Sequence, residues 1–324
     1  MLPNIIMVYL INKKIGNNKF LYLVKNIRVG ANNWKKITLY VGKEGVGVDK
    51  KRLIFDNLTY FVEKELALRK EEITNLDISY DKTAILKIEH DSIKIWNLIK
   101  TDDNEEKKIM NDFAIEFIYE SNSIEGSKIP KIEVRRILEK QESKYKNRNE
   151  VKEVENAVKT LKFLDSGFSF SEQGIKKLYH ILTKDISSHE NNPYPKGYKK
   201  VSNIIGESTT SSPKDVPKEM NRLIKWYKEN KNKMHPLQLA FEFHLRFEAI
   251  HPFLDGNGRV GRLIMNKILM VNQYPQIIIY KDNRLAYFNA ITKGREGSSK
   301  TYNTFMLHQY QKTILGFYKN RLSL

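Results

Sequence analysis

From Arg52 to about Ile73 the apolar residues Leu53, Leu58, Phe61, Val62, Leu66 and Leu68 recur at three- and four-residue spacing among Lys and Glu, the period of a helix. Ahead of it the pattern changes. Phe20–Val24 and Lys36–Val41 are rich in β-branched and aromatic residues, and Gly30-Ala31-Asn32-Asn33 between them is turn material. With Ile5 to Ile11 they predict a small antiparallel sheet of about three strands. Sheet and helix together suggest a module spanning residues 1–80.

Beyond it the spacing is helical almost throughout, with segments near 84–100, 105–122, 130–142, 150–165, 171–186, 215–232, 236–250, 258–272, 284–294 and 301–319. The expected fold class is therefore mainly α, with residues 81–324 as the large unit. One segment breaks the pattern. Asn191 to Pro217 holds prolines, glycines and a Ser/Thr cluster, and a connection that long inside a compact unit is usually functional or disordered. No internal repeat or low-complexity tract is evident.

At 324 residues, 40% of them hydrophobic, the chain can bury a large core, so wholesale disorder is excluded. The 56 Lys plus Arg against 38 Asp plus Glu leave +18, a charge that attracts polyanions. Many lysines alternate with glutamates, as in Lys64-Glu65 and Lys152-Glu153, and read as solvated helix faces. The absence of cysteine removes disulfides, thiol nucleophiles and thiolate metal sites at once. No apolar run reaches the roughly 18 residues of a membrane span. The basic residues of MLPNIIMVYLINKK follow its apolar run, the reverse of a secretory signal, so a cytoplasmic protein is expected.

The chemistry concentrates in HPFLDGNGRVGR, residues His251 to Arg262. It contains G-x-G-x-x-G from Gly256 to Gly261. A dinucleotide fingerprint, however, needs a preceding strand and an acid about 20 positions on. A helical stripe, Leu237 to Ala249, precedes it instead, and Asp282 lies too far along. A plain turn would explain Asp-Gly and Asn-Gly but neither His251 nor two arginines at a helix start, where the macrodipole disfavours cations. Those arginines make sense around a bound anion. Glycines let backbone N–H groups turn inward, Arg259 and Arg262 supply forked donors, Asp255 is a hard ligand suited to Mg²⁺, and His251 can accept a proton near neutrality. A base, a metal ligand and an anion cradle suffice for phosphoryl-type transfer from a nucleotide to a hydroxyl.

The stretch resembles the signature loop of the Fic family: His-Pro-Phe, any residue, Asp or Glu, Gly-Asn-Gly-Arg, two further residues and Arg, matched here at every fixed position. The resemblance covers roughly residues 100–310. It implies an all-helical core with a β-hairpin flap, and transfer of AMP from ATP to a Ser, Thr or Tyr hydroxyl of a target protein and of the enzyme itself. On that reading His251 deprotonates the hydroxyl, Asp255 holds Mg²⁺, and Gly256, Asn257 and Gly258 form the anion hole. Arg259 and Arg262 hold the phosphates, and Phe253 anchors the loop.

Three further motifs follow from the same resemblance. Ser121-Asn122-Ser123-Ile124-Glu125-Gly126, at the end of a helix of about residues 105–126, would by itself be a C-terminus capped by Gly126. It also matches the family's inhibitory motif at Ser121, Glu125 and Gly126, which implies that Glu125 pairs with Arg262 at rest. Gly197, Tyr198, Lys199, Lys200 and Val201, continuing to Ile205, fit the flap that docks a target strand. Lys199 stands where the family often has arginine, and lysine cannot form a bidentate fork. Tyr287 and Asn289 are candidates for the adenine pocket.

Other constellations carry less. His244, Glu248 and His251 have a spacing that could gather a metal on one helix face, but the phosphate site already uses His251. His180 and His189 read as surface. Lys25, Arg28, Trp34, Lys35 and Lys36 leave open a nucleic-acid contact by the N-terminal module. Removal of AMP from a modified target, use of another nucleotide, a nucleic-acid-binding module with a vestigial loop, and a homodimer are alternatives the residues leave standing.

Overall fold

The structure is a computed structural model and describes residues 8–28, 34–44, 49–70, 73, 76, 81–186, 194–202, 204–205, 208–322 and 324. Three antiparallel strands, β1 (Tyr9–Ile15), β2 (Asn18–Arg28) and β3 (Trp34–Lys43), open the chain in the order β1-β2-β3. The register runs Tyr9↔Val24 to Ile15↔Asn18, closed by a two-residue turn in which Gly16 has φ 59°, the sign that tight hairpins require at that position. The first strand thus runs on past Ile11 to Ile15. Ile5 to Met7 and the expected Gly30–Asn33 turn fall outside the described residues.

The helix expected from Arg52 is two, α1 (Lys50–Asp56) and α2 (Leu58–Leu68). They part at Asn57, whose side chain donates back to the Leu53 carbonyl at 2.8 Å and competes with the helical ladder. Ile54 and Phe61 pack on Val8, Leu23, Ile27 and Ile37 to give the sheet its own small core.

The remaining helices follow the apolar periods closely: α3 (Lys82–Ile99), α4 (Asp103–Ile124), α5 (Lys131–Leu138), α6 (Arg148–Ser166), α7 (Glu172–Leu182), α8 (Val216–Asn230), α9 (Pro236–Ile250), α10 (Asn257–Val271), α11 (Arg284–Arg295) and α12 (Ser299–Thr313). The last continues as a π-helical stretch, Ile314–Lys319. Asp81 and Asp102 cap α3 and α4 by accepting backbone N–H bonds. Between β4 (Ile204–Ile205) and β5 (Ser208–Thr209) a short hairpin forms ahead of α8. No helix among the described residues is long and apolar enough to cross a membrane.

One contiguous core runs from Ile73 and Leu76 to Tyr318, with α9 and α10 buried along most of their length. The N-terminal module is joined to it by a buried polar chain. Lys25 pairs with Glu65, Glu65 with Arg69 at 2.6 Å, and Tyr274 and His235 both meet Glu89, at 2.5 and 3.0 Å. Arg69 reaches the Tyr274 hydroxyl at 3.4 Å. Two readings from sequence are corrected here. Glu65 belongs to no solvated face, and Lys25, 1% exposed, offers no charge to a nucleic acid. Trp34, Lys35 and Lys36 are exposed.

Candidate active site

α9 ends because His251 takes a left-handed conformation, φ 48° and ψ 64°, while its N–H still bonds the Phe247 carbonyl. The chain turns there, and Phe253 drops into the core, fully buried and stacked on Tyr179 with ring centroids 3.9 Å apart. Asn257 locks the loop from inside, accepting the Phe253 N–H at 2.8 Å and donating to its carbonyl at 2.9 Å. Gly256, at φ 75°, starts α10. The loop is therefore shaped by two buried anchors, Phe253 and Asn257, and presents the N-terminus of α10 with no side chain capping it.

The first turns of α10 carry both arginines inward. Arg262, 1% exposed, spreads its guanidinium over the C-terminus of α4: Nε donates to Ser121 Oγ at 3.0 Å, and Nη2 to the Ser121 carbonyl at 3.0 Å and Glu125 Oε1 at 2.7 Å. Burial opposes its charge, but Glu125 and Tyr287 hold its proton above the ordinary arginine range. Gly258 is required for this meeting. A Cβ there would stand 2.4 Å from Glu125 Oε1 and 2.9 Å from Arg262 Nη1. Gly126, with φ 105°, closes α4 as expected: its N–H and that of Ser127 bond the Ser123 and Asn122 carbonyls, a Schellman end.

Arg259 is held from the other side, by Glu153 of α6 at 2.8 Å, with Asp255 Oδ2 at 3.8 Å. Asp255 itself accepts the Gly256 N–H on Oδ1 and the Tyr194 hydroxyl on Oδ2, both at 2.6 Å. Its side chain is half exposed. Among the described residues no three His, Asp or Glu gather as a metal cage, so His244, Glu248 and His251 form none. A single carboxylate beside an uncapped helix N-terminus is nevertheless a donor set that would suit Mg²⁺ if phosphate oxygens and waters completed it.

Residues 169–269 match the Fic/DOC family, and the loop, Asn257 and both arginines all fall inside the match. The chain carries a Fic domain. Among its relatives, the protein adenylyltransferase Fic of Nematostella vectensis is 29% identical over 217 residues, 64% of this chain and 49% of that protein. The enzyme of the same name from Drosophila ananassae is 35% identical over 111 residues, 34% of this chain and 22% of that one. The chain thus spans less than half the length of either. The fold agrees with two solved structures. A Fic domain containing signaling protein from Bacteroides thetaiotaomicron aligns with TM-score 0.61 at 21% identity, over 71% of this chain and 94% of that one. Fic-1 of C. elegans, residues 134–508, aligns with TM-score 0.57 at 18% identity, over 84% and 75%.

Around the Fic loop the remaining expectations fare unevenly. The flap pairs later than Gly197–Ile205 suggested: Ile204↔Thr209 and Ile205↔Ser208 are the paired residues, and Asn203 lies outside the described set. Gly197 to Val201 are bends ahead of it, with Lys200 and Val201 exposed. Tyr198 packs on Phe253, and Lys199 is buried beneath the loop. The Lys199 N–H bonds the Pro252 carbonyl at 2.9 Å and its Nζ donates to Thr210 Oγ1 at 2.6 Å; burial pulls its ammonium down to about 8. Lysine therefore serves here as a buried strut.

Tyr287 and Asn289 do not share a face. Asn289 is exposed, whereas Tyr287 lies in the core under Arg262. Its hydroxyl accepts from Arg262 Nη1 at 3.4 Å and meets His244 Nε2 at 2.9 Å, while His244 Nδ1 meets the Tyr302 hydroxyl at 2.9 Å. Because Tyr302 donates onward to the Phe241 carbonyl, His244 donates from Nδ1, and in its neutral form it accepts from Tyr287 at Nε2. Burial takes it down to about 4, against the pull of Glu248. His180 is half-buried, and His189 lies outside the described residues. Sequence reasoning missed Glu153 and Tyr194, which only a long-range contact reveals.

Proposed function

We propose that this chain is a self-inhibited protein adenylyltransferase, moving AMP from ATP to a hydroxyl side chain of a target protein and of itself. The observation that carries the reading is the buried fork of Arg262, set beside an anion cradle and occupied by Glu125 at 2.7 Å. An arginine that binds nucleotide phosphate and also holds an internal carboxylate is occupied by one or the other, so ATP and Glu125 compete for a single guanidinium.

His251 accepts the proton of the attacking hydroxyl. The oxygen bonds the α-phosphorus, and the bond to pyrophosphate breaks. Donors fixed in advance around the phosphates stabilise the charge that develops. Gly256, Asn257 and Gly258 frame the anion hole, while Arg259 and Arg262 bind the phosphates; Asp255 would hold Mg²⁺, which neutralises phosphate charge when bound. The exposed residues Lys200 and Val201, with the β4–β5 hairpin beyond them, are the proposed docking edge for the target.

Purified chain incubated with ³²P-labelled ATP tests this directly. Glu125→Gly should raise self-labelling about ten- to hundredfold, equivalent to about 1.4–2.8 kcal/mol of competition removed. His251→Ala in that background should abolish it. Equal labelling with and without Glu125 would sink the inhibitory role, and no labelling from any nucleoside triphosphate would sink the transferase.

A further inference from the structure

At the loop two buried atoms, Glu248 Oε1 and His251 Nδ1, make no hydrogen bond. Glu248, on the last turn of α9, is 4% exposed, and its Oε2 lies 3.6 Å from His251 Nδ1. That separation exceeds a hydrogen bond, and both Glu248 Oε1 and His251 Nδ1 are buried atoms with no bond of their own. A buried carboxylate oxygen left unpaired is costly, and such groups persist where chemistry needs them. Space has been made for this one on the facing helix. A Cβ at Gly261 of α10 would sit 2.9 Å from Glu248 Oε1 and 3.3 Å from His244 Cδ2, so a side chain there would push the carboxylate from its place. His244 flanks the same carboxylate at 3.8 Å but is already bonded on both ring nitrogens, which leaves His251 as the donor Glu248 can gain.

We propose that Glu248 is a positioning residue for the transfer reaction: it accepts the Nδ1–H of His251 and so fixes the ring with Nε2 bare toward the target hydroxyl. This deepens the transferase reading and rests on it for its catalytic meaning. Less than about 1 Å of movement brings the pair to hydrogen-bond length. In the step itself, the hydroxyl O–H bond breaks and its proton passes to Nε2, while the oxygen forms its bond to the α-phosphorus and the pyrophosphate bond breaks. The imidazolium so formed is stabilised by the Glu248 carboxylate on its far side and later returns the proton to water. Burial would raise the Glu248 carboxyl, but His251 beside it and the Arg262 charge hold it below the ordinary range, as a carboxylate.

The histidine-labelled chain, residues 1–324, read by ¹⁵N and ¹³C NMR at pH 8, tests the contact without any turnover. The His251 resonance is identified by its loss in His251→Ala. It should report the Nδ1–H tautomer in the unsubstituted chain and in Glu248→Gln, which keeps an acceptor, and move toward Nε2–H in Glu248→Met, which has none. In the Glu125→Gly background, kcat should then fall about tenfold for Gln and about a hundredfold for Met, within the range of general-base effects, with KM for ATP within about twofold. An Nε2–H tautomer in the unsubstituted chain, or the same tautomer and kcat in Glu248→Met, would overturn the proposal. Absence of AMP transfer together with the expected tautomers would instead condemn the transferase reading and leave the Glu248–His251 contact intact.

Discussion

At the scale of residues, His244 shows how packing chooses a protonation state. A fully buried imidazole, bonded at Nδ1 to Tyr302 and at Nε2 to Tyr287, is cut off from the water that would solvate a second, charging proton. Its ordinary pKa of 6.5 falls to about 4 in the folded chain. The unfolded chain therefore binds more protons between those values, and stability present above pH 6.5 is lost as pH falls toward 4. At 1.36 kcal/mol per pH unit the contribution is roughly 3 kcal/mol. Urea unfolding at pH 7.5 and 4.5 should show this loss, and His244→Asn should flatten that part of the profile. An unchanged slope in the variant would refute the assignment. Such a role is invisible in the sequence, where His244 is only one member of a metal-like spacing. Tyr287 and Tyr302, 43 and 58 positions away, decide it.

Among the elements, what could be read from sequence and what could not divide along one line. Helices α3 to α12 announced themselves because a 3.6-residue apolar period is local, and the Fic loop did so because its donors are consecutive. Pairings across distance did not. Glu153 meets Arg259 across 106 positions and Tyr194 meets Asp255 across 61, and no local pattern marks either partner. A hairpin was expected too early along the chain, since Gly197 to Val201 look like strand while Lys199 is drawn down to Pro252 and Thr210 instead. Phe253 was legible as an anchor. Wedged against Tyr179 between α9 and α10, it should cost about 3–5 kcal/mol when cut to alanine, seen as a lower melting temperature and as lost protection of loop amides. A melting temperature within a degree of the parent would show that the loop holds its shape without it.

For the whole molecule, the division near residue 80 looks different once packed. The sheet keeps its own small core, yet Glu65 sits between Lys25 and Arg69 at 1% exposure, and the chain of polar contacts continues through Tyr274 to Glu89 and His235. Removing one member of a buried ion pair strands the others, at about 3–5 kcal/mol. Calorimetry should show one cooperative transition for the parent chain and a depressed one for Glu65→Ala; two resolved transitions in the parent would mean that the sheet folds independently.

The same reasoning, applied to Glu125, yields an opposition between activity and durability. On the proposed reading its carboxylate stands where an anionic ligand would, so the resting chain would in effect be liganded by a part of itself. Glu125→Gly strips that internal ligand from an arginine that is 1% exposed. The more active form should therefore be the more fragile one, melting several degrees lower when empty and recovering more of that loss with ATP than the parent gains. The brake on the chemistry and part of the stability of the empty fold would then be one interaction, and a mutation that removes it would leave the chain leaning on its nucleotide for that part.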